Sequence, residues 1–287
     1  MVSIHGFVKL LRLERAISAV AGVLITGVIV GDLTGFDRSY LVACLVVFFS
    51  ALANFSLNDI HDIETDRVNK RTDRPLASGV ISQRDANMVA IFSSLSTLIL
   101  SMFLGQIPRY MIMVGLPLSL LYNVYLKRYL VFKNLFTGLA NVGVILMGAL
   151  VVDSVIEPLA YYIALVGFFF SISYEVMLDI GDVDGDKAMG VETIPVRFGR
   201  RNAALLSIII GLGAVLADPL PFFVSVDPRL FGDYIFLVLI LVPVANRILI
   251  SRALLLDHSP ENIRGLRKRL FRNLQLGGVC YLIGFLL

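Results

Sequence analysis

The chain has 287 residues, 57% of them apolar and only 16% charged, with a mean hydropathy of +0.82, a balance that excludes an ordinary soluble domain. Its 25 Lys and Arg outnumber its 22 Asp and Glu, but the excess tracks the ends of apolar runs, as membrane topology requires, and gives no reason to invoke nucleic acid. Cys44 and Cys280 both lie in apolar runs, with no spacing that suggests a disulfide framework or a zinc site.

Crossing roughly 30 Å of hydrocarbon takes about 20 apolar residues. Runs of that kind lie at 16–31, 40–58, 86–104, 108–126, 135–152, 159–180, 203–223, 231–251 and 271–287, the last two being the weakest. A lipid-exposed backbone must satisfy its own hydrogen bonds, so these runs predict an all-α membrane protein. The expected architecture is a bundle of about nine transmembrane helices forming a single domain over residues 1–287. The first run leads straight into a full span without a small-residue cleavage pattern, so no cleavable signal peptide is expected.

The connections between runs divide the charge unequally. Twenty-two of the Lys and Arg fall on the side of the amino terminus, from Lys9, Arg12 and Arg15 through to the segment Arg247 to Arg272; only Arg38, Arg109 and Arg229 fall on the other. The positive-inside rule then predicts a multi-pass protein of the cell membrane with its amino terminus in the cytoplasm. Contact with anionic membrane lipids is a natural consequence of such basic loops.

Two connections on that side, 58–85 and 175–202, are long and dense in charge. Each begins where its helix should still be in the membrane, and ionisable residues there are costly and usually functional. The first reads Asn58-Asp59-Ile60-His61-Asp62-Ile63-Glu64-Thr65-Asp66-Arg67 and the second Leu178-Asp179-Ile180-Gly181-Asp182-Val183-Asp184-Gly185-Asp186-Lys187. Both spell D-x-x-D-x-x-x-D followed by a base. At about 100° per residue, Asn58, Asp62 and Asp66 share an arc of roughly 80°, with Asp59 just beside them. Glu175, Asp179, Asp182 and Asp186 share an arc of about 60°, provided that Gly181 and Gly185 do not interrupt that helix.

Carboxylates so crowded cannot all stay ionised at a low-dielectric edge. A hard divalent cation removes the conflict, and a set of Asp, Glu and Asn oxygens without thiolates selects Mg2+, with Mn2+ as a substitute. The neighbouring Arg67, Lys70, Arg74, Lys127, Arg128 and Lys187 suit the charge of a diphosphate. Blander readings stand beside these: solvated helix ends for the acids, topology anchors for Arg12, Arg15 and Lys127, and orientation of a neighbour for Asp59 and Asp179. His5, His61 and His258 lack metal-ligand spacing and read as surface residues.

These residues resemble the UbiA superfamily of intramembrane prenyltransferases. The family signature N-D-x-x-D-x-x-x-D is matched in full by Asn58, Asp59, Asp62 and Asp66, with the similar Arg74-Pro75-Leu76 after it. A second signature, D-x-x-x-D, is matched by Asp182 and Asp186, with Gly190, Thr193, Pro195, Phe198 and Gly199 downstream. Tyr122, Tyr125 and Lys127 resemble a third element at the cytoplasmic end of the fourth span, although the Tyr122-to-Lys127 spacing is one residue longer than in the quinone-making branch. Nine spans also agree with the family, so the resemblance covers nearly the whole chain.

The resemblance implies that Mg2+ ions held by Asn58, Asp62 and Asp66, and by Asp182 and Asp186, bind an allylic prenyl diphosphate. It implies catalytic roles for those four aspartates and Lys127, and substrate contacts for Arg67, Lys70, Arg74, Lys187, Arg12, Asp59, Asp179, Tyr122 and Tyr125. Aromatic faces, Tyr174 included, would stabilise the allylic cation, and the prenyl tail would lie between helices. Glu175 ahead of Asp179, and the Gly-Asp pair before Gly190, look most like the archaeal branch that makes digeranylgeranylglyceryl phosphate. That branch moves geranylgeranyl onto the lipid acceptor geranylgeranylglyceryl phosphate. Tyr174 and Leu178 depart from it, standing where basic residues are common. An aromatic acceptor, such as a quinone precursor, homogentisate or a chlorophyll intermediate, is the alternative within the family. From another class, a secondary transporter or ion carrier would place its acids near the midplane on broken helices. No obligate protein partner is expected.

Overall fold

Apolar runs flanked by polar caps fold here as helices, in a computed structural model that describes residues 4–71 and 73–287, the side chains of Ile4 and His5 lying outside the described residues. In chain order these are α1 (Ile4–Leu11), α2 (Leu13–Val30), α3 (Arg38–His61), α4 (Ile63–Val68), α5 (Gln83–Ser101), α6 (Gln106–Val124), a 3-10 turn at Leu126–Arg128, α7 (Phe132–Ala149) and α8 (Pro158–Ala188). They continue with α9 (Ile194–Phe198), α10 (Arg200–Ala217), α11 (Leu220–Phe223), α12 (Tyr234–Leu256) and α13 (Pro260–Leu286). Short polar side chains start the long ones. Asp37 Oδ1 accepts from the Ser39 amide at 2.6 Å ahead of α3, and Ser82 and Ser259 cap α5 and α13 in the same way.

Six stretches, Leu13–Val30, Arg38–His61, Phe132–Ala149, Pro158–Ala188, Arg200–Phe223 and Tyr234–Leu256, are long and apolar enough to cross a membrane. The chain is therefore an all-α, multi-pass membrane protein. Helices α5, α6 and α13 coincide with three further expected runs but are more polar. The first opens on Gln83, Arg84 and Asp85, the second carries Arg109 and Asn123, and the first half of α13 holds Arg264, Arg267, Lys268, Arg269 and Arg272.

Close packing rests on small residues, as is usual between membrane helices. At Gly148 of α7 an added Cβ would stand 2.5 Å from the Val23 carbonyl oxygen of α2, and Tyr40 of α3 donates to the Gly148 carbonyl at 2.9 Å. A second apolar cluster joins α8, α10, α12 and α13 through Met177, Ile180, Ala203, Ile250 and Leu270.

The structure corrects one expectation and meets one condition that the sequence left open. Arg247 does not belong to a cytoplasmic loop: it is fully buried within α12 and donates to Ser173 Oγ at 2.6 Å and to the Ser207 carbonyl at 3.2 Å. One charge fewer leaves the inside bias intact. Gly181 and Gly185 do not interrupt α8, which runs unbroken through both. The first motif behaves oppositely, because the helix breaks at Asp62 (φ −101°, ψ 5°), where α3 ends and α4 begins. Backbone bonds from Asp62 N to Asn58 O and from Asp66 N to Asp62 O, at 3.0 and 2.8 Å, keep the two helices nearly in register across that break.

Candidate functional site

A cavity of about 1210 Å³ opens between α2, α3, α6, α7, α8 and α13, larger than the roughly 300–1,000 Å³ of ordinary small-molecule pockets. Its rim, at the ends of these helices that carry the basic loops, is polar; its body is lined by Ala, Val, Ile, Leu and Phe side chains and reaches Asp218 and Tyr281 at the far side. From Arg267 to Tyr281 along α13 is roughly 21 Å, so the cavity extends about that far along the bundle. The acids of both motifs stand at one end of it.

Asn58, Asp62 and Asp66 line one wall of the rim, and Asp182 and Asp186 the other. Lys127, carried by the 3-10 turn, donates to Asp62 Oδ1 at 2.5 Å. Asp66 is buried, with Arg74 Nε 3.6 Å from its Oδ2. Burial, with Asp62 beside it, pushes the Asp66 carboxyl up to about 8. Asp186 is buried too, and its Oδ2 has no hydrogen-bond partner among the described residues, an expensive condition unless something else supplies positive charge.

Residues absent from the motifs join the two walls. Arg71 is 7% exposed; its Nη1 donates to Asp182 Oδ1 at 3.3 Å, while Nε and Nη2 grip Asp73 at 2.9 and 3.0 Å. Asn69 donates to the Asp182 carbonyl at 3.3 Å and accepts from the Gly185 amide at 2.7 Å. That contact requires Gly185, since a Cβ there would stand 2.3 Å from Asn69 Nδ2. Lys133 reaches Asp179 Oδ1 at 2.5 Å, and Asn134 its Oδ2 at 3.2 Å. Spacing along one helix shows which face a residue shares, but not that the loop after the first motif folds back onto α8.

Other expected site residues sit elsewhere. Asp59 and Asp179 are buried behind the cavity wall, Asp59 holding Arg12 and Arg74, the latter at 2.7 Å, and Asp179 holding Lys133. They position cavity-lining cations and do not face the cavity. Arg67 is exposed and pairs with Glu64; Lys70, Tyr125 and Lys187 are exposed outside the cavity lining. The structure does not bring these four into the cavity lining. Arg12, Arg74, Tyr122 and Lys127 do line the cavity, and the Tyr122 ring stacks on Phe136 with centroids 4.0 Å apart. Arg12, Lys70 and Val131, the non-glycine residues with positive φ among those described, all flank this rim, where strained backbone tends to mark function.

Among the described residues no three Asp, Glu, His or Cys side chains converge closely enough to hold a metal ion alone. The donor chemistry nonetheless fits magnesium, which commonly takes one or two carboxylates and completes its shell with phosphate oxygens and water. The unpartnered Asp186 Oδ2 and the raised Asp66 are the conditions that such a cation relieves.

The model of the UbiA prenyltransferase family matches residues 16–274. The digeranylgeranylglyceryl phosphate synthase of Pyrococcus abyssi is 33% identical over 221 residues, covering 77% of this chain and 78% of that protein. The synthase of Archaeoglobus fulgidus is 29% identical over 276 residues, 96% of this chain and 93% of its own. Among solved structures, one of a digeranylgeranylglyceryl phosphate synthase in membranes superposes with a TM-score of 0.72 at 24% identity, covering 98% of both chains. A UbiA homolog from Archaeoglobus fulgidus bound to DMAPP and Mg2+ gives 0.66 at 17% identity, over 96% of this chain and 98% of that one. The two structures share the fold.

Proposed function

The chain belongs to the UbiA prenyltransferase family, and from that premise we propose that it moves an allylic prenyl group, geranylgeranyl, from its diphosphate to the hydroxyl of geranylgeranylglyceryl phosphate. It is a magnesium-dependent prenyltransferase of membrane lipid synthesis whose donor and acceptor both lie in the lipid phase. The observation that carries the site assignment is the meeting of both aspartate motifs across one rim, above an apolar cavity of about 1210 Å³. The nine long helices among the described residues are read as nine spans of a single domain over 1–287, with the amino terminus and both motifs in the cytoplasm, because the basic loops cluster at that end.

Asn58, Asp62 and Asp66 on one wall, and Asp182 and Asp186 on the other, would hold Mg2+, with Mn2+ as a substitute. When bound, the ion supplies charge that stabilises the departing diphosphate. Lys127 and Arg74 add fixed positive charge beside the same leaving group, with Arg71 holding Asp182. The Tyr122 ring, held flat against Phe136, offers a π-face to the allylic carbon as positive charge develops there. The apolar body keeps water away from that carbon, so that the acceptor hydroxyl captures it. Asp59 and Asp179 hold Arg12, Arg74 and Lys133 in place for these tasks.

Purified protein in detergent, given labelled geranylgeranyl diphosphate and geranylgeranylglyceryl phosphate, tests the assignment. Turnover should require Mg2+ and be lost in Asp62→Asn and in Asp182→Asn. Wild-type turnover in both variants would remove these residues from the site.

A further inference from the structure

The deep end of the cavity, opposite the aspartate rim, is polar. Asp218, the residue that ends α10, and Tyr281 of α13 line it, and Asp218 forms no ion pair among the described residues. The Tyr281 hydroxyl donates to the Asp218 carbonyl oxygen at 2.8 Å, and Tyr162 of α8 donates to the neighbouring Ala217 carbonyl. Tyr281 is buried, and the Phe236 ring packs behind it with the centroids 5.3 Å apart, in a cluster with Leu159, Leu230 and Ile240. Hydrogen bonds and packing thus brace a polar floor beneath a mostly apolar wall.

An isoprenoid chain entering from the rim stops at such a floor, because pressing its methyl end against a carboxylate removes water without returning a hydrogen bond. The depth of the cavity then sets the length of the chain. Arg267 stands beside Asp182 at the rim, and from Arg267 to Tyr281 is roughly 21 Å along α13. The main chain of a geranylgeranyl group, fully extended with carbon–carbon bonds of about 1.5 Å, reaches roughly 19 Å, and one more isoprene unit brings it to roughly 24 Å. The first length fits above the floor and the second does not. Gly277, one turn above Tyr281 on the same face of α13, also lines the cavity, and a Cβ there would meet nothing within 4 Å. A large side chain at that point would raise the floor by roughly 6 Å, about the length of one isoprene unit.

We propose that Asp218 and Tyr281 form a ruler that limits the isoprenoid chain in this cavity to twenty carbons. The proposal rests on the reading of donor and acceptor as geranylgeranyl lipids; each carries one chain of that length, and the two arms of the test show which chain the floor measures.

The test uses the full chain in detergent with Mg2+. In one arm, donor diphosphates of fifteen, twenty and twenty-five carbons are given with geranylgeranylglyceryl phosphate. In the other, geranylgeranyl diphosphate is given with glyceryl phosphates that carry one ether-linked isoprenoid of the same three lengths. In the arm whose chain reaches the floor, the wild type should favour twenty carbons over twenty-five roughly 10- to 100-fold in kcat/KM. Tyr281→Ala should move the optimum toward twenty-five carbons, Asp218→Ala should move it less in the same direction, and Gly277→Phe should move it toward fifteen. Shifts of opposite sign, each with turnover kept at its new optimum, distinguish a ruler from a loss of folding. Equal wild-type turnover of twenty and twenty-five carbons in both arms would overturn the ruler, as would variants that keep the wild-type length profile or lose activity equally at all three lengths. A wild type inactive on every pair would overturn the reading of the substrates, and the ruler with it.

Discussion

Asp59 is 1% exposed and accepts hydrogen bonds from both Arg12 and Arg74, whereas Glu64, five residues on, meets Arg67 with both side chains more than half exposed. Removing one partner of a buried pair costs about 3–5 kcal/mol; an exposed pair is worth about 0–1 kcal/mol. Asp59→Ala should therefore lower the thermal unfolding midpoint in detergent clearly, and Glu64→Ala should leave it nearly unmoved. Equal shifts would mean that Asp59 is not the anchor of those two guanidiniums. Arg71→Ala removes the bond to Asp182 and should cut kcat/KM for the donor roughly 10- to 100-fold, which steady-state kinetics would detect. At this scale the sequence makes the acids legible, because each motif repeats at helical spacing. It hides Arg71, Asn69 and Lys133, whose partners Asp182, Gly185 and Asp179 lie 46 to 116 positions away.

Helix α8 runs through Gly181 and Gly185 because its neighbours use those gaps: Ile263 of α13 packs at the first, and Asn69 inserts at the second. Propensity alone points to a break at such glycines, since isolated Gly costs a helix about 1 kcal/mol. Tertiary contacts outweigh that here. Conversely, nothing in the composition of 58–66 signals the break at Asp62, where α3 gives way to α4. Gly185→Ala should displace Asn69 and detach the loop after the first motif from α8. The expected result is a loss of roughly tenfold in kcat/KM, similar to Asn69→Ala, with the yield of folded protein preserved. Wild-type kinetics in both variants would show that this bridge does not support the site.

The apolar runs located every long helix of the molecule, since each has to bury or face lipid over its whole length. Composition is a poorer guide to how many of those helices cross the bilayer. Helix α13 keeps five basic residues between Arg264 and Arg272 before its apolar half, and α5 and α6 begin on polar turns. Orientation is testable in a background with Cys44 and Cys280 replaced by Ala. A membrane-impermeant maleimide should modify Arg229→Cys from outside intact cells and Arg264→Cys only after permeabilisation; the reverse pattern would invert the topology. The cavity is a property of the whole bundle as well, with walls from six helices and acids at one end. The central claim is that this cavity joins two lipids. The most direct measurement is mass spectrometry of the product formed from labelled geranylgeranyl diphosphate and geranylgeranylglyceryl phosphate by the purified chain, with and without a magnesium chelator. A labelled diether phosphate that appears only with free Mg2+ is the predicted result; its absence, while the donor is consumed on an aromatic acceptor or not at all, would contradict the claim.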